Sequence, residues 1–533
     1  MNMYSRIKSI LVIFLGLVLL GSCESELELS PEDNREGADE IFSDPENYKN
    51  FLAKLYAGLA VSGQQGPAGS PDLEGLDEGF SQYLRLYWML QELPTDEAVI
   101  GWNDGTILDL HAQVWTSGNE FIRTMYSRIM YQVAQTNAFI RQSSDENLSR
   151  YGIDQADREE IQTFRAEARF LRALSYYPAL DLVGNPPFVT EEDPVGAFLP
   201  EQIQRAELFN YIESELLAIE EQMVAARQNE YGRADRGAVW ALLANLYLNA
   251  EEYTGTERYD EVITYTQKII DAGYSLVPEY EYLFLADNDE NGAQDEIIFP
   301  IAFDGLNTRS FGGMTFIIRA AIGGDMPPSE FGVNSGWGGL RTTPEFVSLF
   351  PDGAESEDER EMFFTEGQSL EINDITQFSH GYAVAKFKNI DSEGNPGTDP
   401  TGEHPDTDFP LFRLGDIYLM YAEAVLRGGN GSMDQALEYV NLLRERAYDG
   451  PSHNLEMDEL TLDFIIDERG RELYWEAKRR TDLIRFEMFT QNGVWAWKGN
   501  VPQGMTTEPF RNLYPIPASD LGVNTNLTQN PGY

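Results

Sequence analysis

Two tryptophans lie in turn-forming sequence that leaves their indole rings open to a ligand. Trp102 is part of the run Gly-Trp-Asn-Asp-Gly, and Trp337 is part of the run Gly-Trp-Gly-Gly. Residues of this size and turn preference do not cover a large ring. An open aromatic face beside hydrogen-bonding groups suits sugars, whose C–H faces stack on a ring while their hydroxyls need polar partners. The alternative interpretation is that both indoles are core anchors of irregular loops.

A second chemical signal is an acidic run, Asp287-Asn-Asp-Glu-Asn-Gly, which matches the first half of an EF-hand calcium loop. The match then fails, because Ile298 occupies the position of the bidentate glutamate that ends such a loop. Any ion here would therefore need further ligands, and the stretch Asp406-Thr-Asp408 could supply them. The alternative interpretation is a solvated acidic turn.

Signatures of catalysis are absent from the sequence. It contains no Gly-x-Ser-x-Gly elbow, no phosphate-binding loop and no His-Glu-x-x-His motif, and only four histidines. One cysteine cannot build a cysteine-based zinc site. With 89 aspartates and glutamates, counting alone does not exclude a glycosidase-like carboxylate pair. We expect a binding protein and not an enzyme.

The N-terminus predicts an exported lipoprotein. Arg6 and Lys8 precede an apolar run over residues 10–20, which is the order of a signal peptide and is too short for a permanent membrane span. The sequence Leu-Gly-Ser-Cys that ends at Cys23 resembles a bacterial lipobox, and this only cysteine has no disulfide partner in the chain. We predict removal of residues 1–22, a lipid anchor on Cys23 that holds the protein to a membrane, and a polar tether over residues 23–45. The alternative is an ordinary secretory signal that happens to contain a cysteine.

The composition is strongly acidic, with a formal net charge of −51. Such a field repels phosphate backbones and anionic membrane surfaces, so nucleic acid is excluded as a partner and a neutral or cationic ligand is favoured. The hydrophobic share of 42% and the aromatic share of 12% provide ample material for a folded core.

Apolar spacing predicts long amphipathic helices over 157–182 and 208–223. Two helical pairs, 239–250 with 259–270 and 416–426 with 433–446, each enclose a short glycine-bearing connection, close to the tetratricopeptide period. The predicted fold class is therefore mostly α: a tetratricopeptide-like helical-repeat scaffold with a large irregular, loop-rich binding region and few short strands.

The irregular region is expected in two stretches, 61–117 and 275–410, which are rich in Gly, Pro, Asn, Asp and aromatic residues. A short strand-like run covers residues 296–303 within the second of them. Long irregular segments in a compact protein are usually functional when they are not disordered, and aromatic content argues against disorder. We place the ligand-binding loops there, within a single globular domain over 46–533.

Several motifs resemble the SusD/RagB family of Bacteroidetes outer-membrane lipoproteins, and the resemblance covers nearly the whole chain. The motifs are Arg165-Ala-Glu-Ala-Arg-Phe-Leu-Arg-Ala-Leu-Ser-Tyr-Tyr, Gly232-Arg-Ala-Asp-Arg-Gly-Ala, Asp467-Glu-Arg-Gly-Arg-Glu-Leu-Tyr-Trp-Glu-Ala-Lys-Arg-Arg-Thr-Asp-Leu-Ile-Arg-Phe and Tyr514-Pro-Ile-Pro-Ala-Ser-Asp-Leu. The resemblance implies a helical scaffold, a lipid anchor at the cell surface and a partner, a SusC-like TonB-dependent transporter whose mouth the lipoprotein caps.

The likeness to the starch-binding members of the family extends into the loops. It covers Gly69-Ser-Pro-Asp-Leu-Glu-Gly, Glu92-Leu-Pro-Thr-Asp-Glu, Phe284-Leu-Ala-Asp-Asn-Asp-Glu-Asn, Thr308-Arg-Ser-Phe-Gly-Gly and Pro405-Asp-Thr-Asp-Phe-Pro-Leu-Phe-Arg-Leu. It implies that Trp102, Phe311 and Trp337 form an aromatic arc for an α-glucan, and that Asp77 and Arg85 hydrogen-bond to sugar hydroxyls. It also implies a structural calcium ion, for which the candidate ligands are Asp289, Asn291, Asp406 and Asp408.

Two positions depart from the family pattern. Phe311 stands where a tyrosine is expected, which keeps a stacking face and loses a hydroxyl. Gly105 stands where an asparagine is expected, so that contact is absent or comes from Asn103 or Asp104. These departures leave open a different neutral glycan, such as a fructan or a branched or cyclic glucan, and the family's RagB branch leaves open oligopeptides.

Overall fold

The computed structural model describes residues 37–73, 76–350 and 357–533. The predicted signal peptide and Cys23 lie outside these residues, so the lipid anchor stays a prediction. Within the described ranges, every helix is too short or too polar to cross a membrane.

Helices dominate the chain, as predicted. They are α1 (Ala38–Ile41), α2 (Glu46–Ala60), α3 (Tyr83–Glu92), α4 (Leu108–Ala112), α5 (Glu120–Gln142), α6 (Asp145–Arg150), α7 (Gln155–Pro178), α8 (Arg205–Ile219), α9 (Arg236–Leu248), α10 (Ala250–Thr254), α11 (Tyr259–Asp271), α12 (Gly313–Ala321), α13 (Pro344–Val347), α14 (Leu414–Leu426), α15 (Met433–Ala447), α16 (Leu462–Leu473), α17 (Arg479–Arg485) and α18 (Ala518–Val523). Short π-helical turns, Ala179–Val183 and Met488–Asn492, follow α7 and α17.

The strands of the described residues form three antiparallel two-stranded ribbons. They are β1 (Val99–Ile100), β2 (Ile297–Ile301), β3 (Leu340–Arg341), β4 (Phe363–Phe364), β5 (Ala383–Val384) and β6 (Phe409–Arg413), and the pairs are β1 with β3, β2 with β6 and β4 with β5. The strand-like run predicted over 296–303 is therefore confirmed as β2.

Stacked helix pairs build the scaffold, and the predicted mostly α fold is confirmed. α11 packs against both α9 and α14, and α14 packs in turn against α15. Val262 and Ile269 are buried on one face of α11, whereas α14 is buried on nearly every side. A helical pair of this kind cannot bury its apolar face alone, so each pair is stabilised by its neighbours.

Buried ion pairs join the scaffold to its C-terminal motif over 467–486. The Glu472 carboxylate lies 2.7 Å from the Arg413 guanidinium and 3.2 Å from that of Arg360, and it also pairs with Arg446. Burial alone would raise the pKa of Glu472, but these three cations together hold it far below its usual range. Every charge in the cluster is paired, which is the condition for tolerating charge in a protein interior.

The two stretches predicted as irregular contain more helix than their sequence indicates. α3 lies in the first stretch and α12 in the second, and all residues of these two helices are buried except Arg85. A helix that is buried all round carries no amphipathic stripe, so the periodicity rule does not detect it. These two helices support the site described below.

Candidate ligand-binding site

Two tryptophan-bearing segments, far apart in sequence, meet at the β1–β3 ribbon. Val99 pairs with Arg341 and Ile100 with Leu340, and beyond them the Gly101 N–H donates to the Gly339 carbonyl at 2.9 Å. This pairing brings Trp102 and Trp337 together, with ring centroids 6.3 Å apart and planes inclined by 49°.

The turn that carries Trp337 is fixed on the C-terminal end of α12. The Trp337 N–H donates to the Arg319 carbonyl at 2.6 Å, and the Gly339 N–H donates to the Ala320 carbonyl at 2.8 Å. The last carbonyls of a helix have no partner within the helix, and here the turn supplies the donors. The Arg319 guanidinium carbon also lies 5.0 Å from the centroid of the Trp337 ring, a cation–π contact.

Glycine at position 339 allows the Trp102 ring to lie against the backbone. A Cβ atom at Gly339 would lie 2.4 Å from Cε2 of Trp102, so no larger residue fits without moving the ring. Both indoles are half-buried. The rings are therefore anchored by packing, as the core interpretation requires, and keep exposed area, as the ligand interpretation requires.

Phe316, on α12, connects the tryptophans to Arg85 beneath the surface. Its ring meets the Trp102 ring edge to face at 6.0 Å, and the Arg85 guanidinium carbon lies 4.4 Å from its centroid. Sequence reasoning missed Phe316, because it is one apolar residue in a helix that is apolar throughout.

Arg85 presents a guanidinium without a hydrogen-bond partner among the described residues, and its Nε is enclosed. Burial lowers the pKa of Arg85 to about 10, although the nearby carboxylates of Asp77, Asp104 and Glu78 oppose this shift. The side chain is therefore still charged at neutral pH. A charged donor group that is held in place and unsatisfied is suited to bind hydroxyl oxygens of a ligand.

Phe311 lies beside the loop that holds Asp77. The Phe311 N–H donates to Glu78 Oε2 at 3.1 Å, and a Cβ atom at Gly79 would lie 2.7 Å from the Phe311 Cβ. Asp77 is exposed, and one of its oxygens accepts the Phe80 N–H at 2.9 Å. Phe311 is half-buried, with its ring 5.2 Å from that of His404.

Asn103, Asp104 and Gly105 are exposed in the turn that follows Trp102. Gly105 has a φ of +52°, and a Cβ atom there would lie 1.4 Å from a carboxylate oxygen of Glu120. That oxygen accepts the Thr106 N–H at 3.1 Å. Glu120 thus occupies the position of a Cβ atom at residue 105, so an asparagine does not fit there. A polar contact from this turn would have to come from Asn103 or Asp104.

A further aromatic residue, Phe378, borders the Trp337 turn and was not predicted. Cβ atoms at Gly323 and Gly338 would lie 2.9 and 3.8 Å from its half-buried ring. The loop that carries it is held by Arg341, which donates to the carbonyls of Ile375 and His380 at 2.7 and 2.9 Å. A phenylalanine between polar residues gave no periodic signal.

The four predicted calcium ligands lie on neighbouring loops, but most of their oxygens are already engaged. The Asn291 amide oxygen accepts the Ala293 N–H, and its nitrogen donates to the Tyr282 carbonyl, each at 3.0 Å. Asp406 accepts the Gly305 N–H at 2.6 Å, together with two donors of Thr398.

Asp408 accepts the Phe303 N–H at 2.6 Å, and burial, with the charges of Asp289 and Asp406, raises its pKa to about 7. Across residues 37–73, 76–350 and 357–533, no group of three or more His, Cys, Asp or Glu is placed to hold a metal ion. This arrangement does not fit a calcium cage as it stands, and calcium stays a prediction.

Comparison with known proteins places this geometry in a family. A family model described as "SusD family" matches residues 354–533. The chain is 35% identical to "Starch-binding protein SusD" of Bacteroides thetaiotaomicron over 559 aligned positions, which cover 96% of each chain. It is 24% identical to "SusD-like protein P2" of Formosa agariphila, across 73% of this chain and 78% of that one.

Solved structures show the same fold. A SusD superfamily protein from Parabacteroides distasonis matches with a TM-score of 0.70 at 22% identity, over 92% of this chain and 99% of that one. Surface glycan-binding protein A from Bacteroides thetaiotaomicron, in complex with laminarihexaose, matches with a TM-score of 0.68 at 19% identity, over 91% and 99%. From its identity to a named relative across nearly the whole of both sequences, this chain belongs to the SusD family.

Proposed function

We propose that this protein is a non-catalytic receptor that captures starch or malto-oligosaccharides through Trp102, Phe311 and Trp337. The observation that carries the proposal is the position of the Arg85 guanidinium, which has no hydrogen-bond partner among the described residues and lies 4.4 Å from the ring that supports Trp102. Tilted aromatic planes suit a curved chain of sugar rings, and a free charged donor beside them suits its hydroxyls.

The relatives support a glycan as the ligand class. The relative at 35% identity is named for starch, and a structural neighbour is described as a glycan-binding protein in complex with laminarihexaose. Both names describe binding and not catalysis, in agreement with the expectation that this chain is not an enzyme. Because these two ligands differ, and because Phe311 and Gly105 depart from the starch-binding pattern, another neutral glycan is the second candidate.

A panel of neutral polysaccharides in affinity electrophoresis tests the proposal, with calorimetry on maltoheptaose to follow. We expect retardation by starch and glycogen, and much weaker retardation of Trp102→Ala. Trp240→Ala is the matched control, since Trp240 is a half-buried tryptophan of α9 whose indole N–H donates to Glu220. Equal binding by Trp102→Ala and the native protein would overturn the aromatic-arc proposal.

Oligopeptides are a ligand of a different class, and the net charge of −51 favours basic ones. Mass spectrometry of the purified protein separates the two classes. Co-purified peptide, with no retardation by any glycan of the panel, would replace the carbohydrate proposal.

The cellular setting is also part of the proposal: an outer-membrane lipoprotein, anchored through Cys23, that delivers its ligand to a SusC-like TonB-dependent transporter. The lipobox-like sequence and the family membership support it. Replacing Cys23 by serine is expected to release a soluble protein that still binds glycan while uptake by cells falls. Membrane retention of that variant would contradict the anchor.

A further inference from the structure

A polar cleft of about 610 Å³ lies between α2 and the chain segment that leads to Phe311. This volume is within the range of roughly 300–1,000 Å³ that is usual for small-molecule sites. The side chains of Ala53 and Ala57 on α2 are too small to fill it. Its polar lining consists mainly of amide side chains and one guanidinium, from Asn50, Gln64, Gln65, Asn307 and Arg309.

The cleft and the aromatic site, which consists of Trp102, Phe311 and Trp337, are both held by Glu78. Glu78 Oε1 accepts the Ser62 hydroxyl at 2.9 Å, next to the loop that forms one wall of the cleft. Its other oxygen accepts the Phe311 N–H at 3.1 Å, at the edge of the aromatic site. Arg309 precedes Phe311 by two residues in the same loop. The lining of the cleft therefore begins two residues from Phe311.

Arg309 is exposed, and no hydrogen bond or ion pair engages it within the part of the chain that the structure describes. Lys54, also in the cleft, is by contrast neutralised by Asp72 at 2.7 Å. The Arg309 guanidinium and the amides around it provide donors for neutral hydroxyls. Among the described lining residues, the cleft does not contain the cluster of free cations that a polyanion needs.

On the other side of Ala53 and Ala57 the surface continues into a second cleft, of about 310 Å³. Tyr231 lines it and is 42% exposed. Burial and the nearby Asp408 carboxylate raise the pKa of Tyr231, so its hydroxyl lies on the buried side of the ring, toward Asp408. The surface therefore leads from hydrogen-bonding groups to a partly exposed aromatic side chain.

We propose that these joined clefts are a second carbohydrate subsite, which binds the continuation of a neutral glycan chain held at Trp102 and Trp337. The proposal rests on the proposed function. The amides and Arg309 bind hydroxyls of the extending chain, and Tyr231 stacks on a sugar ring beyond them. The subsite makes the protein prefer long chains to short ones.

The test compares maltotriose, which is short enough to remain on the aromatic site, with maltodecaose, which reaches the clefts. Ala53→Trp blocks the passage, because Ala53 is exposed on α2 and lines both clefts. Ala218→Trp, at an exposed position of α8, is the matched control. Calorimetry gives both dissociation constants, and thermal melting shows that each variant is folded.

We expect the native protein to bind maltodecaose at least tenfold more tightly than maltotriose, and Ala53→Trp to lose this preference while maltotriose binding is unchanged. Arg309→Ala removes one set of hydrogen bonds and should weaken only maltodecaose, roughly fivefold. Equal effects of Ala53→Trp and Ala218→Trp on maltodecaose would overturn the subsite.

The two proposals fail in different ways. If the native protein binds neither oligosaccharide, the proposed function fails. A short and a long oligosaccharide of the glycan that binds in affinity electrophoresis are then compared in the same way. If both bind equally well, or if Ala53→Trp retains the full preference for maltodecaose, the aromatic site stands and the second subsite is wrong.

Discussion

The indole N–H of Trp102 donates to the backbone carbonyl of Trp337 at 3.3 Å. The acceptor is backbone, so it does not depend on which side chain residue 337 carries. The turn around that carbonyl is fixed separately, by the hydrogen bonds to the end of α12. Trp102 therefore keeps its orientation when the Trp337 indole is removed, and the two rings can be tested separately.

We predict that Trp102→Ala and Trp337→Ala each weaken glycan binding by about 2 kcal/mol, roughly thirtyfold, as loss of a central aromatic contact does. Because Trp337→Ala leaves the Trp102 hydrogen bond intact, the losses should be nearly additive in calorimetric titrations of both single variants and the double variant. A double variant that binds no more weakly than either single variant would contradict two independent stacking planes.

Arg85→Met is predicted to separate binding from stability. Methionine keeps an apolar stem on Phe316 and removes a buried cation, so the melting temperature should stay the same or rise. Glycan affinity should fall tenfold or more, since a hydrogen bond from a charged group contributes about 1.5–3 kcal/mol. Calorimetry and thermal melting measure the two effects, and Arg85→Lys should recover only part of the affinity. Unchanged affinity in Arg85→Met would exclude Arg85 from the site.

The scaffold could be predicted from sequence because its helices have one buried face and one exposed face, as Val262 and Ile269 show on α11. The two candidate tryptophans could be identified from their small neighbours. Their contact could not be predicted, since it joins residues 235 positions apart through a ribbon of two residue pairs. Phe316 was missed for another reason: burial on all sides of α12 removes the polar positions that would mark its orientation.

Calcium binding is predicted to be weak, in the millimolar range that loosely built extracellular sites show. The Asp406 carboxylate would have to release the Gly305 N–H and Thr398 before it could coordinate an ion. We expect CaCl₂ added to EDTA-treated protein to raise the melting temperature, and MgCl₂ to act less. Asp289→Asn together with Asp408→Asn should abolish the effect. A melting temperature that does not respond to millimolar calcium would show that the prediction is wrong.

Glu92 gives a prediction about stability and pH. Burial raises the pKa of Glu92 to about 7, and burial together with the charge of Glu92 raises the pKa of its neighbour Glu97. The folded state thus binds protons that the unfolded state has released, so the contribution of this pair to stability is greatest at low pH. The part that comes from Glu92 declines as the pH rises from about 4.5 through about 7.

Glu92→Gln removes the titrating group and keeps an oxygen that can accept the Lys478 N–H, which Glu92 accepts at 3.0 Å. We expect urea unfolding to show this variant gaining stability relative to the native protein on going from pH 5 to pH 8, by up to roughly 3 kcal/mol. Glu160→Gln, at an exposed position of α7, is the control for loss of a carboxylate elsewhere. A constant difference between Glu92→Gln and the native protein across this range would contradict the raised pKa.

Phe378 is predicted to extend the aromatic surface past Trp337. Its ring lies on the backbone of Gly323 and Gly338. The loop that carries it accepts a hydrogen bond from Arg341, the residue that pairs with Val99 beside the Trp102 segment. Phe378→Ala should therefore weaken binding of a long oligosaccharide by roughly threefold to tenfold, at about 0.5–1.5 kcal/mol for one peripheral aromatic contact. Phe378→Leu keeps apolar contact with the glycines and loses the flat face, so it should melt like the native protein and bind as weakly as Phe378→Ala.

Phe198→Ala, at an exposed phenylalanine between α7 and α8, is the control for loss of a ring elsewhere. If Phe378→Leu binds like the native protein in calorimetric titrations, Phe378 supports the loop by packing and contributes no stacking face.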